Sequence, residues 1–453
     1  MRAQLFVLVL ATGCYHPSPA AGTPCSSLGT CPSGLECVDD LCQDPGTLPI
    51  DAAIDACPAA SCLGGDLAGC GIRITCANGC ADTSTTAPAH CAQLVPSNGI
   101  SVALLAGATA DFTGIDYDFN TTTGEIAVNG NVIRPAGTGV IDGIGFTVID
   151  MMGVFTAHSF TISPLGGNTG NDWDSAGANA LVLFSATTID VQGAIDVGAV
   201  GQSGGPGGAS GGTTGSSGPT CRGKAGLWQA ANFGEGGGGG GGRHAGAAGA
   251  PSNLATFGAG GPSCSFPLTQ PLRGGSGGGA GGVDTAPTPT VHGGFGGGGG
   301  GALGLVAMES ITISGTVTAP GDGGLTSATG DGGGGGGSGG AILLESPVVT
   351  LAGNLTAHGG GGGGPSVNNG VRGHQTDGGQ ASGGVYMTAS GGKGGTGAAM
   401  PTAGTTFNNV TATMARGGGG GGSAGRTEIK ARSKVTTGAT LSPAPTLGDV
   451  TLQ

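Results

Sequence analysis

Apolar residues along this chain come in short alternating runs, and two groups of them repeat almost position for position. Ala302-Leu-Gly-Leu-Val-Ala-Met308 precedes Ile311-Thr-Ile313-Ser-Gly315-Thr-Val317-Thr-Ala319, and Ala341-Ile-Leu-Leu344 precedes Val349-Thr-Leu351-Ala-Gly353-Asn-Leu355-Thr-Ala357. Each unit is a short apolar strand, a few polar residues, an alternating strand with a glycine at its centre, and a glycine-rich exit. The template apolar, any, apolar, any, Gly, any, apolar also fits around Gly130, Gly153 and Gly193, and a degraded copy surrounds Gly438 between Val435 and Leu441.

Period-two alternation buries one face of each strand and turns the other outward. Strands this short cannot bury their faces alone, but stacked units spaced about 4.8 Å apart can cover one another. The pattern therefore predicts a mainly β chain: a right-handed parallel β-helix, or solenoid, over 95–453. Glycine-rich insertions fall at about 198–300, 320–338, 358–382 and 415–425, and each central glycine marks a bulge or corner. A β-sandwich is the competing architecture. It needs tight hairpins, and Asn129-Gly130 offers one, although inside a strand pattern.

Composition sharpens this picture. Of 453 residues 107 are glycine, only 4% are aromatic and only 9% carry charge, against an average near 7% glycine and about 25% charged. Glycine adds nothing to a side-chain core and loses the most backbone entropy on ordering. Five runs, Gly236–Gly242, Gly296–Gly301, Gly332–Gly337, Gly359–Gly364 and Gly417–Gly422, leave two readings open. They are flexible loops, or extended threefold chains hydrogen-bonded backbone to backbone. The formal net charge of −13 offers no basic patch for a nucleic acid and suits a solvated acidic surface.

The first residues read as an export signal. Met1-Arg2 opens a positive region, Leu5–Leu10 is an apolar run too short to span a bilayer, and Ala11-Thr-Gly-Cys14 follows. The stretch resembles the lipobox of bacterial lipoproteins, with Ala11 where that family usually has leucine. The resemblance implies a signal peptide over 1–13, lipidation of Cys14, a tether over 14–24 and a membrane partner through the lipid. Tyr15 stands where aspartate would retain such proteins at the inner membrane, which implies the outer membrane.

Apart from Cys14, the cysteines form even groups: Cys25, Cys31, Cys37 and Cys42; Cys57, Cys62, Cys70, Cys76, Cys80 and Cys91; and Cys221 with Cys264. In an exported chain this predicts two, three and one disulfides, with only Cys221–Cys264 assignable, rather than zinc at Cys76, Cys80 and His90. Residues 25–43 and 57–93 become small Cys-rich modules joined by a linker over 44–56. They resemble the Cys-rich beads that follow the lipidated cysteine in myxobacterial surface proteins. Residues 198–425 resemble the glycine-rich surface proteins of the PGRS type in composition.

Chemistry is sparse. Parallel β-helices often carry polysaccharide lyases and hydrolases, and glycoside cleavage needs two carboxylates at a set separation. Asp116 and Asp118 flank Tyr117, Asp172 and Asp174 flank Trp173, and Asp111 lies nearby. Such Asp-x-Asp runs are more often solvated turns, sometimes holding calcium. The polygalacturonase-type signature also needs an Asp-Asp, and the only Asp-Asp is Asp39-Asp40 in the first module. No phosphate loop or His-x-x-x-His is present, no Gly-x-Ser-x-Gly sits between a strand and a helix, and the x-Thr-x-Thr pattern of Thr316-Val-Thr318 is not kept as a ladder between units. The sequence thus names no catalytic residue and no required cofactor. It predicts a non-enzymatic structural or adhesive surface lipoprotein touching a polysaccharide or protein, with a carbohydrate-active β-helix enzyme as the alternative.

Overall fold

The structure is a computed structural model that describes residues 31, 35–38, 41–43, 60–69, 72–76, 78–82 and 88–453. Within the last range, 116, 129, 165–172, 213–220, 231–232, 253–256, 265–267, 269–270, 284–289, 327–330, 367, 374–378 and 409–413 are not described. The chain divides into two compact units, Met1–Cys91 and Ala92–Gln453. It is mainly β, and no α-helix occurs among the described residues.

In the first unit Glu36–Val38 pairs antiparallel with Leu41–Gln43, and Ser61–Leu63, Asp66–Gly69 and Ile72–Ile74 form a three-stranded sheet. Disulfides join Cys31 to Cys42, Cys62 to Cys80 and Cys76 to Cys91. Cys37 is also disulfide-bonded. Cys14, Cys25, Cys57 and Cys70 lie outside the described residues.

The second unit is built from strand triplets that fall one strand to each of three sheets. The triplets are Met152–Ala157, Ser159–Ile162 and Trp173–Ala176; Ala180–Ser185, Thr188–Val191 and Ala194–Asp196; and Ala302–Ala307, Ser310–Ile313 and Thr316–Thr318. Ala341–Glu345, Val348–Leu351 and Asn354–Thr356 follow, then Arg426–Lys430, Ser433–Thr436 and Thr440–Ser442. Each strand pairs parallel with its counterpart in the next triplet.

Register explains the sequence pattern. Phe155, Leu183, Leu305, Leu344 and Ile429 form one inward ladder of the first sheet, and Phe160, Ile189, Ile311 and Val349 one of the second. Ile195, Val317 and Leu355 do the same in the third, and all of these residues share one core. The first strands read as unbroken apolar runs because their sheet is buried on both faces. Its outer residues Val154, Val182 and Phe184 pack with Leu94, Ile100, Leu268 and Leu272 in a second cluster.

Gly193, Gly315, Gly353 and Gly438 lie at corners between second- and third-sheet strands, as expected. Gly130 and Gly153 do not. Gly130, at φ +74°, joins antiparallel strands Ile126–Val128 and Asn131–Arg134. Gly153 sits inside Met152–Ala157, which pairs antiparallel with Ile144–Ile149. The unit therefore opens with hairpins rather than with another triplet. Arg134, fully buried, ties them down by donating to the carbonyls of Ile144 (3.2 Å), Pro135 (3.1 Å), Gly137 (3.1 Å), Gly139 (2.9 Å) and Gly124. Its burial lowers the guanidinium pKa, and those carbonyls offset the lost hydration.

The insertions leave after the third-sheet strands, and three of them return through a glycine run directly into a first-sheet strand: 296–301, 332–340 and 417–425. All five glycine runs are buried and hydrogen-bonded. Gly333, Gly336 and Gly339 donate to Gly417, Gly420 and Ser423; Gly334, Gly337 and Gly340 donate to Leu325, Asp322 and Ala319; Gly335 and Ser338 donate to Gly279 and Ser276. Their carbonyls accept with the same period of three, from 294, 297 and 300, from 237 and 240, and from 360 and 363. Three residues per turn is polyproline II geometry. One extended chain is thus bonded to six neighbouring segments, and the open choice between flexible and packed glycine resolves as packed.

This arrangement fixes the residue type. A Cβ added to Gly335 would overlap the carbonyl of Gly238, and one added to Gly238 would overlap that of Ala259. Gly335→Ala is expected to cost several kcal/mol or to abolish folding, since overpacking alone costs about 1–3 kcal/mol. At Gly438, where φ is +68° and no atom lies near the Cβ position, alanine should cost only about 1–2 kcal/mol. Urea denaturation compares the two, and equal, small effects would contradict the packed bundle. The Cys221–Cys264 bond closes a loop with a sequence separation of 43, so Cys264→Ser should lose about 4 kcal/mol on the chain-entropy argument.

Candidate functional site

Among the described residues, the acids singled out in the sequence fall in two sheets. Asp111 lies on the edge strand of the second sheet, whereas Asp118 and Asp174 occupy adjacent parallel strands of the third, in register. Asp116 and Asp172 lie outside the described residues. Asp174 is in register with Asp196, which is nearly buried and paired with Arg372 at 2.7 Å. Tyr117 does not stand beside Asp118 as a sugar platform. Alternation along Tyr117–Asn120 turns its ring into the core, 4.4 Å from that of Phe112, and its hydroxyl donates to the Thr113 carbonyl at 3.0 Å. Trp173 is in register with the inward-facing Ile195.

Asp111 has different company. Its Oδ1 accepts from Ser159 Oγ at 2.6 Å and lies 2.7 Å from His158 Nδ1. The serine bond and then the histidine hold this exposed carboxyl below its ordinary value. The carboxylate takes both partners, so Ser159 is not hydrogen-bonded to a base as a nucleophile would be. Among the described residues no group of three or more His, Cys, Asp and Glu could hold a metal ion.

Glu345 is the buried carboxyl that the apolar run Ala341–Leu344 disguised. It faces outward from the first sheet, in register with Val306 and Lys430. It accepts from Ser97 N (2.9 and 3.1 Å) and Ser97 Oγ (2.9 Å), fastening the segment that begins the unit. Burial pushes its pKa up, against the opposing pull of the Ser97 bonds.

Outward-facing positions of the second sheet line up between triplets as four threonines interrupted by one aspartate. Thr113, Thr161, Asp190, Thr312 and Thr350 form one continuous register ladder, spaced about 4.8 Å apart as in any sheet. The match was hidden because insertions of unequal length separate its members.

Two further concavities lie near the ends of two glycine runs. A pocket of about 270 Å³ is lined by Arg243, Arg426, Glu428 and Thr446, among others. A cavity of about 70 Å³ shares Arg426 and adds Arg273. Arg243 directly follows a glycine run, and Arg426 follows the Ser423-Ala-Gly425 that comes after another. Comparison with protein-family models, with curated proteins and with solved structures finds no match.

Glu345 gives a pH prediction. A carboxyl whose folded pKa is raised destabilises the fold when ionised, so this group's contribution improves as pH falls from 7 through its folded pKa towards the ordinary 4.5. Glu345→Gln keeps an acceptor for Ser97 N and cannot ionise. The wild-type melting temperature should therefore rise relative to the variant's between pH 7 and 4.5, and parallel profiles would contradict the assignment.

Proposed function

We propose that the chain is a non-enzymatic cell-surface lipoprotein, structural or adhesive, whose second unit is a right-handed parallel β-helix carrying glycine-rich insertions. The in-register parallel triplets support the solenoid reading, since each triplet covers the apolar face of the next. The observation that carries the functional reading is the glycine bundle. It binds backbone to backbone over five runs and leaves few side chains for chemistry. A rigid body of this kind, faced on its second sheet by a ladder of four threonines and one aspartate, suits contact with an extended surface.

Lipidation of Cys14, signal cleavage before it and the outer membrane remain part of this proposal, resting on the resemblance of residues 1–14 to lipoprotein signals. No helix among the described residues is long and apolar enough to cross a membrane. The second reading is a carbohydrate-active enzyme, and the register of Asp118 with Asp174 is what favours it.

Expression in a Gram-negative host with Cys14→Ala tests the anchor. Wild type should fractionate with the outer membrane and the variant should not; identical membrane association would refute a lipid at this residue. Incubating the full chain with pectic and neutral polysaccharides tests the enzyme reading. The expected result is no new reducing ends and no unsaturated product, and product that disappears with Asp118→Asn would replace the adhesive reading.

A further inference from the structure

Arg243 and Arg426 reach the same pocket because two glycine runs end side by side. The backbone N–H of Arg243 donates to the carbonyl of Ala424 at 2.9 Å, holding the end of run 236–242 against the end of run 417–425. Arg243 is spent only in part: one guanidinium N–H donates to the Ala444 carbonyl at 3.1 Å. The Arg426 guanidinium makes no hydrogen bond or ion pair among the described residues, and desolvation lowers its pKa while Glu428 opposes the shift. Glu428 lies 3.8 Å from Lys430. The pocket lining therefore carries two guanidinium groups and one carboxylate that has a partner outside it, an island of positive charge on a chain of net −13.

A half-buried guanidinium with no directly bonded anion, Glu428 acting on it only through its charge, is costly, and its planar fork matches a carboxylate or sulfate. At about 270 Å³ the pocket falls just below the range of about 300–1,000 Å³ that holds drug-sized ligands, so it suits a single ring. The exposed Thr446 hydroxyl and the Glu428 carboxylate add neutral and anionic partners for hydroxyl groups. We propose that this pocket binds one acidic saccharide unit, with Arg243 and Arg426 holding a carboxylate or sulfate ester and Thr446 and Glu428 holding ring hydroxyls. The site is independent of how the chain is anchored.

Isothermal titration calorimetry of the full chain with galacturonate, galactose 6-sulfate, galactose and inorganic sulfate tests it. At least one anionic sugar should bind, and the tighter of the two identifies the carboxylate or the sulfate ester as the recognised group. Galactose and inorganic sulfate should each bind at least about tenfold more weakly, and Arg243→Gln and Arg426→Gln should each weaken the anionic sugar by at least about tenfold, the scale of a lost hydrogen bond to a charged group. Arg243 is exposed, so its variant decides the matter even if Arg426→Gln does not fold. Failure of both anionic sugars to bind, equal binding of galactose or of sulfate alone, or undiminished affinity in the Arg243 variant would overturn the proposal.

Discussion

The second unit depends on one interaction: the hydrogen bond between backbones brought too close for any Cβ to lie between them. In an ordinary sheet each strand has two bonded neighbours, and its side chains fill the space above and below. In the glycine bundle N–H and C=O groups point in three directions along a threefold chain. Residues 332–340 consequently bond to six surrounding segments. Removing the side chain permits this geometry, and the same geometry forbids restoring it, as the overlaps at Gly238 and Gly335 illustrate. The entropic cost of ordering so much glycine is offset by satisfying every direction of backbone bonding in a buried setting.

The bundle and the stacked triplets support each other through shared chain. Runs 296–301, 332–340 and 417–425 continue without a break into the first-sheet strands at Ala302, Ala341 and Arg426. Register set in one part is therefore transmitted to the other. Where an insertion covers the third sheet, polar ladders replace apolar ones: Thr318 and Thr356 hydroxyls lie 3.0 Å apart, and His358 Nε2 is 2.6 Å from Ser442 Oγ. The last triplet shows how the stack ends, with Lys434 in register with Val349 and bonded to Asp449 at 3.3 Å.

Much of this was legible from alternation alone. Strands around Gly193, Gly315 and Gly353 announce themselves because one face is buried and the repeat keeps the same inward positions. The pattern misled around Gly130 and Gly153, since a hairpin strand that buries one face alternates as a stacked strand does, and only its pairing differs. The state of the glycine runs was undecidable from composition, because the bonds that order them join residues as far apart as Gly237 and Gly420. Of the candidate acids that are described, Asp111 lies in a different sheet from Asp118 and Asp174, a placement that spacing along one strand does not reveal. Glu345, Arg243 and Arg426 were overlooked because each gains its meaning only from a distant neighbour.

Amide hydrogen exchange of the full chain, followed by mass spectrometry, tests the central claim most directly. The account predicts that the amides of 236–242, 332–337 and 417–422 are protected as strongly as those of Leu303–Val306 and Ile342–Leu344. Exchange of those glycine runs at the rate of an unstructured peptide, with the strands still protected, would contradict it.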